Sequence, residues 1–77
     1  MYVAIIETAK GEIEKIVFAE TPQARKRFRH KVRREIRKNR IANATLYREN
    51  ETNPLASWRK RGDDFEYVSN EKMAFSK

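Results

Sequence analysis

Cationic side chains are concentrated in one stretch of the chain, residues 22 to 40. This stretch holds ten of the eighteen Lys and Arg residues and one acid, Glu35, so its formal charge is +9, while the rest of the chain sums to −2. Arginine outnumbers lysine there by seven to three, and the planar guanidinium forms two-pronged hydrogen bonds with phosphates and carboxylates. The stretch therefore predicts an anionic partner.

The spacing predicts that these cations lie on one side of a helix from Pro22 to about Arg40. Thr21 is a suitable N-cap, and proline is well tolerated at the first helical position. At about 100° per residue the apolar side chains gather in one arc. The predicted core-facing residues are Ala24, Phe28, Val32, Ile36 and Asn39. The predicted binding surface on the remaining sides consists of Lys26, Arg27, Arg29, His30, Arg33, Arg34, Arg37, Lys38 and Arg40.

Two interpretations of this cationic side stay open. Like charges at i,i+4 destabilise a helix by a few tenths of a kcal/mol per pair, which an anionic ligand would relieve. The alternative is a solvated face that only keeps a small basic protein in solution. The preference for arginine over lysine favours the first interpretation.

A second basic cluster, Trp58-Arg59-Lys60-Arg61, joins three cations to the only tryptophan. Aromatic side chains beside cations stack unpaired bases in proteins that bind single strands, so all four residues are included in the predicted binding set. The alternative for Trp58 is a core or edge position in the fold.

The composition excludes several classes of function. There is no cysteine, one histidine and two glycines, so we expect no disulfide, no metal site and no glycine-rich phosphate loop. No nucleophile is paired with a base, and we predict neither an enzyme nor a cofactor. No apolar run approaches the roughly 20 residues of a membrane helix, and no secretory signal is seen. We expect a cytoplasmic protein with no membrane partner.

The apolar pattern predicts an α+β fold with one basic amphipathic helix on one face of a three- to four-stranded antiparallel sheet, in ββαβ(β) order. Strands are expected at residues 2–8 and 13–18, joined at Lys10-Gly11, and at 45–47. Residues 55–58 are expected to form a short edge segment and residues 65–68 a weaker fourth strand. We expect a single domain over residues 1–69 and a mobile tail over 70–77. The predicted core is Val3, Ile5, Ile16, Phe18, Ala24, Phe28, Val32, Ile36 and Leu46.

The order hairpin, helix, strand resembles a family of very small phage-encoded proteins, the ββαβ inhibitors of bacterial RNA polymerase. The resemblance rests on Phe18-Ala19-Glu20-Thr21, which leads from the second strand into the helix, and on a strand ending near Tyr47-Arg48. It covers about two thirds of the chain. It implies a host-takeover role in which the protein binds and blocks a host machine. The helix here is cationic where that inhibitor uses an acidic surface, so no binding residue is carried over.

Two function hypotheses follow. The first is a small non-enzymatic binding module that docks its arginine-rich helix onto DNA, RNA or a nucleoprotein. The second is a protein inhibitor whose helix covers an acidic surface of a host enzyme, such as RNA polymerase or a defence nuclease. The oligomeric state is left open by the sequence.

Overall fold

Five antiparallel strands and one helix make up the fold in a computed structural model that describes residues 1–69. The elements are β1 (Tyr2–Thr8), β2 (Ile13–Phe18), α1 (Pro22–Arg37), β3 (Ile41–Arg48), β4 (Ala56–Arg61) and β5 (Asp64–Ser69). The sheet order is β2-β1-β3-β4-β5. The helix connects β2 to β3, and β3 pairs with β1 as an antiparallel neighbour. The α+β class is confirmed, with one helix within residues 1–69. The tail predicted at residues 70–77 lies outside the described residues.

The strand count and order differ from the prediction, because the chain after the helix forms three strands in a ββαβββ order. Residues 55–58, expected as an edge segment, belong mostly to β4, which pairs with β3 on one side and β5 on the other. A two-residue turn, Gly62-Asp63, joins β4 to β5, and Gly62 has a φ of 62°. Glycine with positive φ at the first turn position suits a tight hairpin. This hairpin makes β5 a full edge strand.

The β1–β2 hairpin closes through a short turn that needs a left-handed residue. Gly11 has a φ of 86°, and its N–H donates to the Thr8 carbonyl at 3.0 Å. The pairing then runs without interruption from Glu7 opposite Ile13 to Tyr2 opposite Phe18. Ile13 is consequently on the face away from the helix and 66% exposed. The pairing of β1 with β3 is irregular between Glu7 and Thr8.

The side of β1 that faces the helix is opposite to the predicted one. Tyr2, Ala4 and Ile6 are buried in the core, whereas Val3 and Ile5 are half-buried on the other face of the sheet. Every position from Tyr2 to Ile6 is apolar, so the sequence has no polar alternation that would reveal which face is inside. The predicted core positions of Val3 and Ile5 are therefore wrong.

The helix begins where predicted and ends earlier. The Thr21 hydroxyl accepts from the Ala24 N–H at 3.1 Å, and Pro22 occupies the first turn. At the other end Asn39 has a φ of 62°, its N–H donates to the Ile36 carbonyl, and the Arg40 N–H donates to the Glu35 carbonyl. These two bonds form a Schellman motif, which terminates the helix. Asn39 is therefore an exposed capping residue, and its predicted core position is wrong.

The core lies between α1 and one face of the sheet. Phe28, Val32 and Ile36 are buried on the helix side, as predicted, and pack with Ala44, Leu46 and Trp58 among the buried residues of the sheet. The predicted core residues Ile16, Phe18 and Ala24 are half-buried. A chain of aromatic contacts crosses the core in the order Tyr2, Phe18, Phe28, Trp58 and Tyr67, with ring centroids 5.1 to 5.7 Å apart. The helix is thereby fixed to the sheet along its apolar side.

Candidate nucleic-acid interface

The side of α1 that points away from the sheet carries only polar and cationic side chains. We call six of them the outer basic face: Lys26, Arg27, His30, Lys31, Arg34 and Lys38, all exposed. Within residues 1–69 none of the six forms an ion pair with a carboxylate. Lys31 was not in the predicted binding set, although it lies one turn from Arg27 and Arg34. The face can therefore offer its full charge to a ligand.

Three other predicted binding residues are engaged with acids of the same molecule. Arg37 Nε is 3.3 Å from an Asp64 carboxylate oxygen, and Arg40 is 3.2 Å from Glu35, which the Schellman motif brings beside it. Arg61 is 2.7 Å from Glu66, its neighbour across the β4–β5 turn. All three arginines are exposed, and exposed ion pairs contribute about 0 to 1 kcal/mol, so a phosphate can compete with them.

The remaining arginines of the predicted helix surface, Arg29 and Arg33, are half-buried on the flank of α1 that faces β5. The Arg33 guanidinium lies over the Phe65 ring at 5.4 Å and the Tyr67 ring at 5.8 Å. Arg37 lies over Phe65 at 5.0 Å. The sequence did not predict these rings as neighbours of the helix, because their proximity depends on the β4–β5 hairpin folding back beside it.

The second predicted cluster does not form one surface. Trp58 is 2% exposed and packs between Phe28 and Tyr67, so it cannot stack a base and its place in the binding set is wrong. Successive residues of a strand point to opposite faces. Lys60 accordingly reaches the helix end and donates to the Asn39 side chain, while Arg59 is opposite Glu66 and on the face away from the helix. The cluster is therefore divided between the two sides of the sheet.

Neither family models, nor curated proteins, nor solved structures gave a match to this chain. The likeness to phage inhibitors of RNA polymerase accordingly stays a prediction. No helix within residues 1–69 has the length and apolar character that crossing a membrane requires. In the same part of the chain, no three His, Asp or Glu side chains are grouped as ligands for a metal ion.

Proposed function

We propose that this protein is a non-enzymatic nucleic-acid-binding module and that the outer basic face of α1 is its contact surface. The observation that carries the proposal is the concentration of charge, +9 over residues 22 to 40 against −2 elsewhere, together with the outer basic face, whose six side chains form no ion pair with a carboxylate within residues 1–69. Double-stranded DNA carries one negative charge per about 1.7 Å of its axis, and neutralising its phosphates releases counterions.

The geometry of the helix supports contact with a phosphate backbone. Residues 26 to 38 span about 18 Å along the axis at about 1.5 Å per residue, so a row of cations can meet several phosphates at once. The apolar side of the helix is anchored by Phe28, Val32 and Ile36, so the cations are presented on a fixed scaffold. Contacts of this kind recognise charge and shape and depend little on base sequence.

Neutralising part of the outer basic face tests the proposal. The variant Arg27→Gln/Lys31→Gln/Arg34→Gln removes three exposed cations. A matched control, Lys10→Gln/Lys15→Gln/Arg59→Gln, removes the same charge from exposed positions off the helix. Binding of labelled single-stranded DNA, duplex DNA and RNA is measured by fluorescence anisotropy over a series of salt concentrations.

We expect the wild-type log–log dependence of the association constant on salt to have a slope on the order of −4 to −5. The helix variant weakens binding and reduces the steepness by about 2 to 3, since each lost phosphate contact removes about 0.9. The control keeps most of the slope. Equal losses in both variants would mean that only net charge matters, and would contradict a specific surface. If the protein binds none of the three nucleic acids at low salt and instead binds an acidic host protein through the helix, the inhibitor hypothesis is favoured.

A further inference from the structure

Arginines of the helix and aromatic rings of the edge strand meet along the contact between α1 and β5. We call these residues the α1–β5 cluster: Arg29, Arg33 and Arg37 of the helix, and Phe65 and Tyr67 of β5. Four helical residues advance about 6 Å, and two strand residues advance about 6.8 Å. Because these two distances nearly match, each successive arginine of the helix can lie beside a successive ring of the strand.

The Arg33 guanidinium is held in the α1–β5 cluster by ring contacts. It lies over Phe65 at 5.4 Å and over Tyr67 at 5.8 Å, and it forms no ion pair within residues 1–69. Its Nε finds no hydrogen-bond acceptor there, so the rings and not a carboxylate fix its position. Contact with a ring occupies a face of the guanidinium and leaves its terminal N–H donors unpaired by an acid. The group is therefore already oriented before a ligand arrives.

Tyr67 supplies the aromatic part of the same surface. Its ring contacts the buried Trp58 at 5.1 Å, while 38% of the residue is exposed. Trp58 thus contacts the ring from the core and Arg33 lies over it, while part of the residue stays exposed to solvent. An aromatic ring and a guanidinium plane are the two side-chain surfaces on which proteins stack unpaired bases. In a duplex each base is already paired and stacked, so this surface favours a single strand.

We propose that the ligand of this protein is a single-stranded nucleic acid, with an unpaired base stacked on Arg33 and Tyr67 and the neighbouring phosphates on the outer basic face. This inference rests on the proposed nucleic-acid function and adds the strandedness of the ligand. Lys26 precedes Arg33 along the helix and Arg37 follows it, so the two side chains can contact the phosphates that flank the stacked base.

The test compares strands that carry the same phosphates with and without bases. Anisotropy titrations use a labelled single-stranded oligonucleotide, an abasic strand of equal length, and a duplex at one salt concentration. Stacking of one base predicts that wild-type protein binds the normal strand about 5- to 150-fold more tightly than the abasic strand. Tyr67→Val should abolish this preference, so that the variant binds the normal and the abasic strand with similar affinity, while Tyr67→Phe should retain it.

Arg33→Lys provides a second variant that keeps the charge but removes the guanidinium plane, and it should reduce the preference in the same way. Thermal unfolding of each variant identifies any that is not folded at the assay temperature, and the other variant then carries the test. Equal wild-type affinity for normal and abasic strands would overturn the stacking inference while leaving the proposed function intact. Failure to bind any of the three ligands at low salt would overturn the proposed function itself.

Discussion

Ile5 and Ile6 are identical, adjacent side chains that experience different surroundings. Ile6 is 3% exposed and lies under the helix, where Ala44 of β3 is its cross-strand neighbour. Ile5 is half-buried on the opposite face, between Lys15 and Thr45. Since the cost of shortening a side chain depends on how fully it is enclosed, the two residues form an internal comparison.

We expect Ile6→Ala to lower the free energy of unfolding by about 2 to 5 kcal/mol, because it leaves a cavity in the core. Ile5→Ala should lower it by less than half as much, since water can occupy the vacated space. Urea denaturation followed by circular dichroism, with the slope of the free energy against urea held equal between variants, measures both values. A larger loss for Ile5→Ala would contradict the register of β1.

The same two residues illustrate what the sequence can determine at the level of single side chains. Phe28, Val32 and Ile36 were predicted correctly because they recur at helical spacing among cations, so the buried side stands out. In β1 no polar residue interrupts the apolar run from Tyr2 to Ile6. Which face of the strand is buried therefore depends on the helix and on β3. Trp58 had two interpretations for a similar reason, since its burial requires β4 to be an inner strand.

The side chain of Thr21 caps the N-terminus of helix α1. Its first turn contains no acidic residue, and its interior carries many like charges. Thr21→Ala removes the acceptor of the Ala24 N–H and should cost about 0.5 to 2 kcal/mol. For a chain of this size that lowers the melting temperature by roughly 4 to 8 °C per kcal/mol.

Calorimetry of Thr21→Ala beside Thr21→Ser checks this expectation, because serine retains the hydroxyl acceptor and should melt close to the wild type. Thr52→Ala, in the exposed loop between β3 and β4, is the control for loss of a threonine without a cap. Equal melting temperatures for Thr21→Ala and Thr52→Ala would show that the cap bond contributes nothing.

The start of α1 was predictable and its end was not. Thr21-Pro22 is a local pattern with a direct mechanism, whereas the end depends on Asn39 adopting a left-handed conformation. Helical spacing alone extended the predicted helix beyond Asn39 and placed this residue in the core. For β4, the run Arg59-Lys60-Arg61 suggested one basic cluster, although strand geometry sends alternate residues to opposite faces.

The distribution of charge over the whole molecule has a consequence for its stability. With +9 on one helical stretch, the folded protein holds like charges at short range. Raising the ionic strength from about 0.01 M to 0.15 M shortens the screening length from about 30 Å to about 8 Å. We therefore expect the melting temperature of the free protein to rise with sodium chloride.

Differential scanning calorimetry over a salt series measures this rise. The variant Arg27→Gln/Lys31→Gln/Arg34→Gln should show a smaller increase, because it contains fewer repelling pairs, while the control Lys10→Gln/Lys15→Gln/Arg59→Gln should behave nearly as the wild type does. A melting temperature that decreases with salt would indicate that attractive pairs such as Arg37–Asp64 outweigh the repulsion.

For the molecule as a whole, the sequence predicted where the positive charge lies but not which distant residues are in contact. A cationic helix side follows from residue spacing alone, and the structure has the predicted Lys26, Arg27, His30, Arg34 and Lys38 exposed together. The α1–β5 cluster could not be predicted, because it brings Arg33 next to Phe65 and Tyr67, which are more than thirty positions away in the chain. That contact exists only once β3 and β4 have placed β5 beside the helix.

The position of β1 between β2 and β3 bears on how the chain folds. Most strand pairs are hairpins of close neighbours, but the β1–β3 ladder joins Tyr2 to Arg48 and must enclose β2 and the whole helix. Closing so long a loop costs entropy before any contact compensates for it. We expect the pairing of β1 with β3 to be a slow step in folding, because it closes the longest loop among the strand pairs.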